Sequence, residues 1–294
     1  MTIRPRRSML FMPASNARAV EKARTLPIDG VILDLEDSIA PDGKDAARDA
    51  AVAAVKAGGF GHREVFMRVN GIDTPWHVDD ITAAAHAGPD GIVVPKVSTP
   101  QQIEALGRRL FDMHADQRTR LWVMIETPLA IFNVAAMASQ ARDSESRLAG
   151  FILGTNDLAK ETRVRIVPGR WPMMSWMMRC VAAARGYGID VIDSVYNDFA
   201  DAEGFAAECA QGRDMGFDGK TLIHPNQIAA CNAAFSPDAA ELAEARRIIA
   251  AFELPENAGK GVITLDGKMV ERLHAEMARR TVAMATATAA LSGA

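Results

Sequence analysis

Short apolar runs recur along the chain at intervals of about 30 residues, with a helical stretch between almost every pair. Such runs, which lack polar alternation, are typical of parallel strands that are buried on both faces. Eight strands that alternate with helices predict an α/β fold of the (β/α)8 TIM-barrel type. A doubly wound open sheet is the alternative, but no glycine-rich fingerprint follows the first strand. The predicted strands lie near residues 8–12, 30–35, 64–69, 91–95, 121–126, 150–154, 189–193 and 217–223.

The composition narrows the class of protein. The chain has 294 residues, 49% of them hydrophobic, so it can bury one large core. A net charge of −4 argues against a general nucleic-acid-binding protein. Three cysteines without paired metal spacing indicate buried thiols in a reducing compartment. No apolar run reaches the length of a membrane span, and the N-terminal residues lack the apolar segment of a signal peptide. We therefore expect a cytoplasmic protein without membrane contacts.

Two of the predicted strands end at a carboxylate. The apolar run 121–125 stops at Glu126, and Thr127-Pro128 then provides a cap and a first residue for a helix. Asp157 follows the next strand, and one strand plus one helix of a barrel takes about 30 residues. The two carboxylates are therefore expected at the ends of adjacent strands, where they suit a hard divalent cation such as Mg²⁺. The alternative is that each carboxylate only caps the helix that follows it.

Three acids lie at the end of the second predicted strand, and one arginine lies within the third. Asp34, Glu36 and Asp37 would repel each other at one strand end unless a cation lies beside them, directly or through waters. The alternative is that Asp37 and Asp42 cap the next helix. Arg68 stands among apolar residues, which is costly unless its guanidinium meets an anion. We expect Arg68 to grip a substrate carboxylate with its planar fork. The alternative is a structural ion pair with Glu36 or Asp37.

The N-terminal part of the chain is its most basic part. Arg7 precedes the first predicted strand, and Arg18 and Lys22 lie on the helix that follows it. We expect a polyanionic substrate to contact these three side chains; the alternative is a solvated helix face. Lys96, after the fourth strand, is a candidate for a Schiff base or for a cation that neutralises the acids. His224, after the eighth strand, is a candidate base or a histidine that is bonded to the backbone.

The residues after the eightfold pattern are expected to form an extension. A charged helix is predicted over residues 238–252, followed by a loop and by a terminal helix from about residue 268. We expect a barrel domain over residues 1–254 and a C-terminal helical extension over residues 255–294. The terminal helix carries an apolar stripe that needs a surface to bury it. Its own barrel or a neighbouring subunit could provide that surface.

Several short motifs of the chain resemble those of one enzyme family. Together they resemble the citrate lyase β-subunit-like (CitE-like) proteins of the HpcH/HpaI aldolase group, which includes the malyl-CoA and citramalyl-CoA lyases. The resemblance extends from Arg7 to Glu271, and its motifs are specific in combination and weak singly. The motifs are Arg7-Ser8, Asp34-Leu-Glu-Asp-Ser-Ile-Ala-Pro41, Arg68-Val-Asn-Gly71, Pro95-Lys-Val97, Ile125-Glu-Thr-Pro128, Gly154-Thr-Asn-Asp-Leu158 and Ile223-His-Pro225.

The resemblance implies a barrel that binds Mg²⁺ through Glu126 and Asp157. It also implies that Arg68 holds the carboxylate or oxo-acid end of the substrate and that Glu36 and Asp37 order metal-bound waters. The implied function is that of a carbon–carbon lyase, which cleaves or forms a 3-hydroxyacyl-CoA thioester such as malyl-CoA or citramalyl-CoA. The products of cleavage are an acyl-CoA and a 2-oxo acid. The alternatives are metal-dependent hydrolysis of an acyl-CoA thioester and a citryl-carrier-protein lyase subunit of a citrate lyase complex.

The resemblance further implies a homo-oligomer, a trimer or a hexamer, in which a C-terminal aspartate reaches the neighbouring subunit's site. Here Met269-Val270 is followed by Glu271, one methylene longer, and Glu271 is expected to act as a general acid or base. A second departure is Ala14, where relatives usually carry glycine after the proline, so ligand contacts of the first turn are expected to differ. A non-catalytic CoA-ester-binding protein is a third class, which the complete set of acids and arginine disfavours.

Overall fold

Eight parallel strands form a closed barrel in a computed structural model of the chain, which describes residues 3–292. The strands follow one another in sequence order around the barrel, and the last one pairs with the first. The predicted (β/α)8 fold is confirmed, and each strand lies within two residues of its predicted range. The strands are β1 (Ser8–Pro13), β2 (Gly30–Asp34), β3 (Glu64–Arg68), β4 (Gly91–Val94), β5 (Arg120–Ile125), β6 (Leu148–Leu153), β7 (Asp190–Asp193) and β8 (Gly219–Leu222).

Side chains fill the interior of the barrel. Trp122 is fully buried and meets Phe66 edge to face, with ring centroids 5.5 Å apart and an interplanar angle of 87°. Gly91 and Gly150 leave room for these rings, because a Cβ atom at either position would overlap them. The other buried residues of this core are Met9, Ile32, Val93, Met124, Ile152 and Ile192. A filled interior leaves the C-terminal ends of the strands as the place for a site.

Helices alternate with the strands, and their first residues have the predicted capping chemistry. The Asn16 side chain accepts the Ala19 N–H at 3.1 Å, and the Thr127 side chain accepts the Ala130 N–H at 3.1 Å, with Pro128 as the first helical residue. Glu126 is therefore held between a strand end and a capped helix start. The helices are α1 (Ala17–Ala23), α2 (Lys44–Ala57), α3 (His77–Ala87), α4 (Pro100–Asp112), α5 (Pro128–Ser139), α6 (Thr155–Thr162), α7 (Met174–Tyr187), α8 (Ala202–Met215) and α9 (Ile228–Ala234).

The chain divides into two compact units. One unit, Arg6–Asn232, contains the barrel, and the described residues before and after it form the other. The second unit contains α10 (Ala239–Glu253), the antiparallel strands β9 (Val262–Leu265) and β10 (Lys268–Glu271), and α11 (Arg272–Ser292). The core of the second unit is made of Ala251, Phe252, Ile263, Val270 and Ala275. Compactness alone does not define an independently folding domain, so the division at residue 254 stays a prediction.

The terminal helix begins later than predicted. It starts at Arg272 and not near residue 268, because residues 262–271 form a β-hairpin. Asp266 and Gly267 make the turn with φ values of 49° and 75°, and Asp-Gly is a common pair for a two-residue hairpin turn. Met269, 67% exposed, and the buried Val270 consequently alternate as strand residues. None of the helices between residues 3 and 292 combines the length and apolar character that crossing a bilayer requires.

Candidate active site

A cavity of about 320 Å³ opens at the C-terminal ends of the barrel strands. Apolar side chains form part of its wall, among them Phe11 and Met124. Its volume lies at the lower end of the range for small-molecule sites, which bury an apolar body against a few placed polar groups. The charged residues that line it are Asp34, Asp37, Arg68, Glu126 and Asp157. Five candidate residues from the sequence analysis therefore line one cavity.

Glu126 lies directly after β5 and is only 1% exposed. Its Oε1 atom accepts the backbone N–H of Lys96 at 2.7 Å. Burial raises the pKa of Glu126 to about 8, and the negative charges of Glu36 and Asp157 add to this rise. A cation beside the carboxylate would favour its ionised form, so the surroundings of Glu126 suit a metal ligand.

Gly154 makes room for the Glu126 side chain. A Cβ atom at this position would lie 2.5 Å from the Cβ atom of Glu126 and would overlap its carboxylate. Gly154 follows β6, whose Leu153 pairs with Ile125 of β5. Asp157 lies in the first turn of α6, immediately beyond Gly154. The two predicted metal ligands therefore stand after adjacent strands, as the spacing in the sequence indicated.

The donor set fits a cation that keeps water or substrate among its ligands. Within residues 3–292, no group of three or more His, Cys, Asp or Glu side chains is arranged to hold a metal by itself. Mg²⁺ is commonly bound by one or two carboxylates together with waters and substrate oxygens. Glu126 and Asp157 supply two carboxylates at the edge of an open cavity. Their assignment as metal ligands stays a prediction.

Arg68, at the end of β3, forms a bidentate ion pair with Asp34, which lies at the paired position of β2. Its Nε atom donates to Asp34 Oδ1 at 2.6 Å, and its Nη2 atom donates to Oδ2 at 2.8 Å. The remaining nitrogen, Nη1, forms an ion pair with Glu36 Oε2 at 2.8 Å and lies 3.6 Å from Asp37 Oδ2. Burial alone would raise the pKa of Asp34, but the charge and hydrogen bonds of Arg68, together with hydrogen bonds from Ser38 and Glu36, lower it. Arg68 thus offers a substrate one partly engaged edge and not a free fork.

Two cations neutralise the acids that follow β2. Besides Arg68, the ammonium of Lys96 contacts Glu36 Oε1 at 3.1 Å. Burial raises the pKa of Glu36, although Arg68 and Lys96 oppose the rise. The side chain of Asp37 is 62% exposed and lines the cavity. The positive charge that the three acids require therefore comes largely from the protein.

Lys44 fixes the backbone that carries these acids, and sequence reasoning missed it. Its buried ammonium donates to the carbonyl oxygens of Leu35 and Glu36 at 2.9 and 2.7 Å and to Asn70 Oδ1 at 2.7 Å. These three bonds use all three protons of the ammonium. Asn70 belongs to the Arg68-Val-Asn-Gly motif, but Lys44 is simply the first residue of α2, and nothing in the sequence marks it as buried.

The basic residues predicted to bind substrate separate into two groups. Arg7 precedes β1 at the opposite end of the strand from the cavity, and its guanidinium makes two bonds to Asp29 at 2.8 and 2.7 Å. The structure therefore gives Arg7 a structural contact and does not bring it to the cavity. Arg18 and Lys22 are exposed on α1, which follows the cavity end of β1. Their contact with a substrate stays a prediction.

Glu271 and His224 are placed on different elements. Glu271 is the last residue of β10 in the second unit, and its N–H donates to His274 Nδ1 at 2.9 Å. Its role as acid or base stays a prediction. His224 lies after β8, where its Nδ1 atom accepts the Asn226 N–H at 3.2 Å and its ring stacks on Phe199. Of the two alternatives for His224, the backbone-bonded histidine agrees with this geometry.

Comparison with known proteins places these residues in context. Residues 7–225 match the family model described as HpcH/HpaI aldolase/citrate lyase. The chain is 47% identical over 286 residues to a (3S)-malyl-CoA thioesterase of Cereibacter sphaeroides (strain KD131 / KCTC 12085), covering 97% of this chain and 96% of that one. It is 34% identical over 273 residues to the citrate lyase subunit beta of Escherichia coli (strain K12), covering 91% and 89%.

A solved structure shares both the fold and the sequence pattern. It is that of CitE from Mycobacterium tuberculosis in complex with magnesium, acetoacetate and coenzyme A. The TM-score is 0.77 at 27% identity, and the match covers 96% of this chain and 98% of that one. The resemblance read from the motifs is therefore confirmed by sequence and by structure.

Proposed function

Because the chain belongs to the HpcH/HpaI aldolase/citrate lyase family, we propose that it is a Mg²⁺-dependent enzyme that acts on a malyl-type 3-hydroxyacyl-CoA thioester and hydrolyses its thioester bond. The family is one of carbon–carbon lyases, and the choice of hydrolysis rests on the 47% identity to a malyl-CoA thioesterase along the full chain. The proposal of a bound metal and of this substrate class is supported by one observation, that Glu126 and Asp157 line the same small, charged cavity.

The size of the cavity supports a short acyl group. About 320 Å³ accommodates a four-carbon hydroxy acid but not coenzyme A, so the carrier must extend beyond the barrel mouth. Arg18 and Lys22 are exposed on the helix after β1 and could meet the phosphates of the carrier. The malyl group would thus enter the cavity carboxylate first, with its thioester near the rim.

Glu126 and Asp157 would hold the metal, which when bound supplies a Lewis acid for carbonyl and hydroxyl oxygens and lowers the pKa of water. Arg68, held by Asp34, contributes a fixed positive edge that orients the carboxylate of the malyl group. Asp37, exposed to the cavity, accepts the proton of a water that adds to the thioester carbonyl carbon. The carbon–sulfur bond then breaks, and the departing thiolate takes that proton, giving malate and free CoA.

The test follows products from malyl-CoA with Mg²⁺. Hydrolysis should release a free thiol and malate in equal amounts, without acetyl-CoA. Addition of EDTA should stop the release of both products. Asp157→Asn should abolish turnover and retain the fold, because an amide cannot replace an anionic oxygen ligand. Glu161→Gln, an exposed acid on the same helix, should keep wild-type turnover and serves as the matched control. Full activity in EDTA would refute the metal-dependent proposal.

Carbon–carbon cleavage is the second candidate, and the family model and the citrate lyase relatives favour it. In this reaction a base takes the proton of the 3-hydroxyl group, the bond between C2 and C3 breaks, and the thioester enolate is protonated. Malyl-CoA then gives acetyl-CoA and the 2-oxo acid glyoxylate. Citramalyl-CoA gives acetyl-CoA and the 2-oxo acid pyruvate. The same incubation distinguishes the reactions, because cleavage yields an oxo acid before any free thiol.

We also propose that the enzyme is a homo-oligomer, a trimer or a hexamer, whose sites are shared. Glu271 would then act as a general acid or base at the neighbouring subunit's cavity. What supports this is an exposed carboxylate-bearing hairpin followed by α11, on which Leu273 and Met277 remain 51% and 63% exposed. Large exposed apolar side chains on one helix are typical of a surface that another chain covers. Light scattering would measure the oligomeric state.

A further inference from the structure

Lys96 has an unusual backbone conformation for a residue with a side chain. Its φ is 58°, in the left-handed region that glycine enters freely and residues with a Cβ atom rarely adopt. It follows β4 in the Pro95-Lys96-Val97 segment, at the same end of the barrel as the cavity. Non-glycine residues held in this region occur often at functional sites, where the surrounding structure imposes the conformation.

The conformation allows Lys96 to contact two acids with two different groups. Its backbone N–H donates to Glu126 Oε1 at 2.7 Å, and its Nζ atom donates to Glu36 Oε1 at 3.1 Å. The two acids come from different strand ends, after β5 and after β2. One residue therefore fixes the separation between a predicted metal ligand and a neighbouring carboxylate.

The carboxylates of Glu36 and Glu126 are bound by different kinds of group. Glu36 is held from both sides, by Lys96 at Oε1 and by Arg68 Nη1 at Oε2, 2.8 Å away. Glu126 is held by an uncharged amide and has no such pair of cations in its described contacts. A carboxylate bound by two protein cations must break an ion pair to bind Mg²⁺, whereas one held only by an amide can bind a metal without breaking an ion pair.

We propose that Lys96 is a positioning residue, whose ammonium keeps Glu36 out of the metal's coordination sphere while its amide holds Glu126 in it. This rests on the proposed Mg²⁺ site. Its consequence is that positions on the metal stay open for the hydroxy acid and water. The Nζ atom already serves Glu36, so Lys96 does not form a covalent imine with a carbonyl substrate in this assignment.

Lys96→Gly is the variant that tests the assignment. Glycine adopts the positive φ without strain, so the backbone N–H to Glu126 is retained and only the ammonium is lost. Glu36 then keeps only its pair with Arg68, and its Oε1 atom can turn toward the metal as an additional ligand. Mg²⁺ should bind about threefold to tenfold more tightly in calorimetry without substrate, while kcat should fall about 10- to 100-fold. Opposite changes in metal affinity and turnover are not expected from a general structural defect.

Three controls make the result specific. Lys96→Arg restores a cation beside Glu36, so both quantities should move back toward the wild-type values. Glu36→Gln in the Lys96→Gly background should remove the gain in Mg²⁺ affinity, because the additional ligand is absent. Lys56→Gly, which removes an exposed lysine from α2, should leave Mg²⁺ affinity unchanged after correction for any loss of thermal stability. Circular dichroism confirms the fold of each variant.

The outcomes separate this inference from the proposed function. Wild-type protein that does not bind Mg²⁺ would overturn both. Wild-type protein that binds Mg²⁺, together with a Lys96→Gly variant whose affinity is unchanged or weaker, would overturn only the role of Lys96. A borohydride-reduced substrate adduct on Lys96, found by mass spectrometry, would also overturn it, because the amine would then be the nucleophile.

Discussion

Binding of Mg²⁺ should depend steeply on pH, because the predicted ligand Glu126 has a pKa of about 8 in the metal-free protein. The cation requires the ionised carboxylate, so protons and Mg²⁺ compete for the same group. With this pKa about 1% of Glu126 is ionised at pH 6, about 10% at pH 7 and half at pH 8. The apparent Kd should therefore fall about tenfold from pH 6 to pH 7, about fivefold from pH 7 to pH 8, and little above pH 9.

Calorimetry measures the competition directly. Titration of Mg²⁺ at pH 6.5, in two buffers that differ in ionisation enthalpy, should show release of close to one proton per bound cation. Glu126→Gln should release no proton and bind weakly, whereas Asp157→Asn should bind weakly and still release the proton. A wild-type Kd that is constant between pH 6 and pH 7, with no proton released, would refute the placement of the cation beside Glu126.

The same pKa also predicts the stability of the metal-free protein. Because the folded protein binds the Glu126 proton more tightly than the unfolded chain, stability due to this group is fully present below the ordinary pKa of 4.5 and is lost as pH rises through about 8. The loss is at most about 5 kcal/mol, from 1.36 kcal/mol per pKa unit. In EDTA the Tm should fall from pH 5 to pH 8, and Glu126→Gln should flatten this dependence.

Three substitutions test other parts of the site. Gly154→Ala should displace the Glu126 carboxylate and weaken Mg²⁺ binding at least about tenfold, whereas Gly186→Ala, in open space on α7, should leave it unchanged in the same titration. Arg68→Lys should lower kcat about 10- to 100-fold in a steady-state assay, since an ammonium cannot reproduce a bidentate pair; unchanged kinetics would make Arg68 a structural residue only. Glu271→Gln should lower kcat about 10²- to 10⁴-fold and spare Mg²⁺ binding. Mixing it with Glu126→Gln should restore activity through hybrid oligomers if sites are shared, and no recovery after verified subunit exchange would argue against sharing.

The barrel was predictable because its signals are local. Each strand is a short apolar run. Asn16 and Thr127 are typical N-cap residues, and Pro128 is a typical first residue of a helix. The hairpin after α10 also had a local signal, the pair Asp266-Gly267, which was read as part of a loop. Its strands are only four residues long, too short for alternation to distinguish them from a helix start.

The partner of Arg68 could not be predicted in the same way. A buried arginine requires an anion, but the sequence does not say whether that anion is a substrate or a protein carboxylate. The pairing with Asp34 depends on the register of β2 and β3, which places the two residues side by side. The need for glycine at position 154 is likewise invisible in sequence, since it arises from the approach of Glu126 on the adjacent strand.

The balance of charge at the cavity explains why a divalent cation suits it. Arg68 and Lys96 each contact acids that follow or end β2, so the protein's own cations are engaged on that side. Glu126 and Asp157 lie on the side of β5 and β6, where a divalent cation would favour the ionised form of Glu126. With a metal bound there, a substrate carboxylate would meet the charge of the metal as well as the partly engaged edge of Arg68. We therefore expect removal of Mg²⁺ to weaken substrate binding more than Arg68→Lys does. A larger loss of affinity in Arg68→Lys would instead make Arg68 the main contact of the substrate carboxylate.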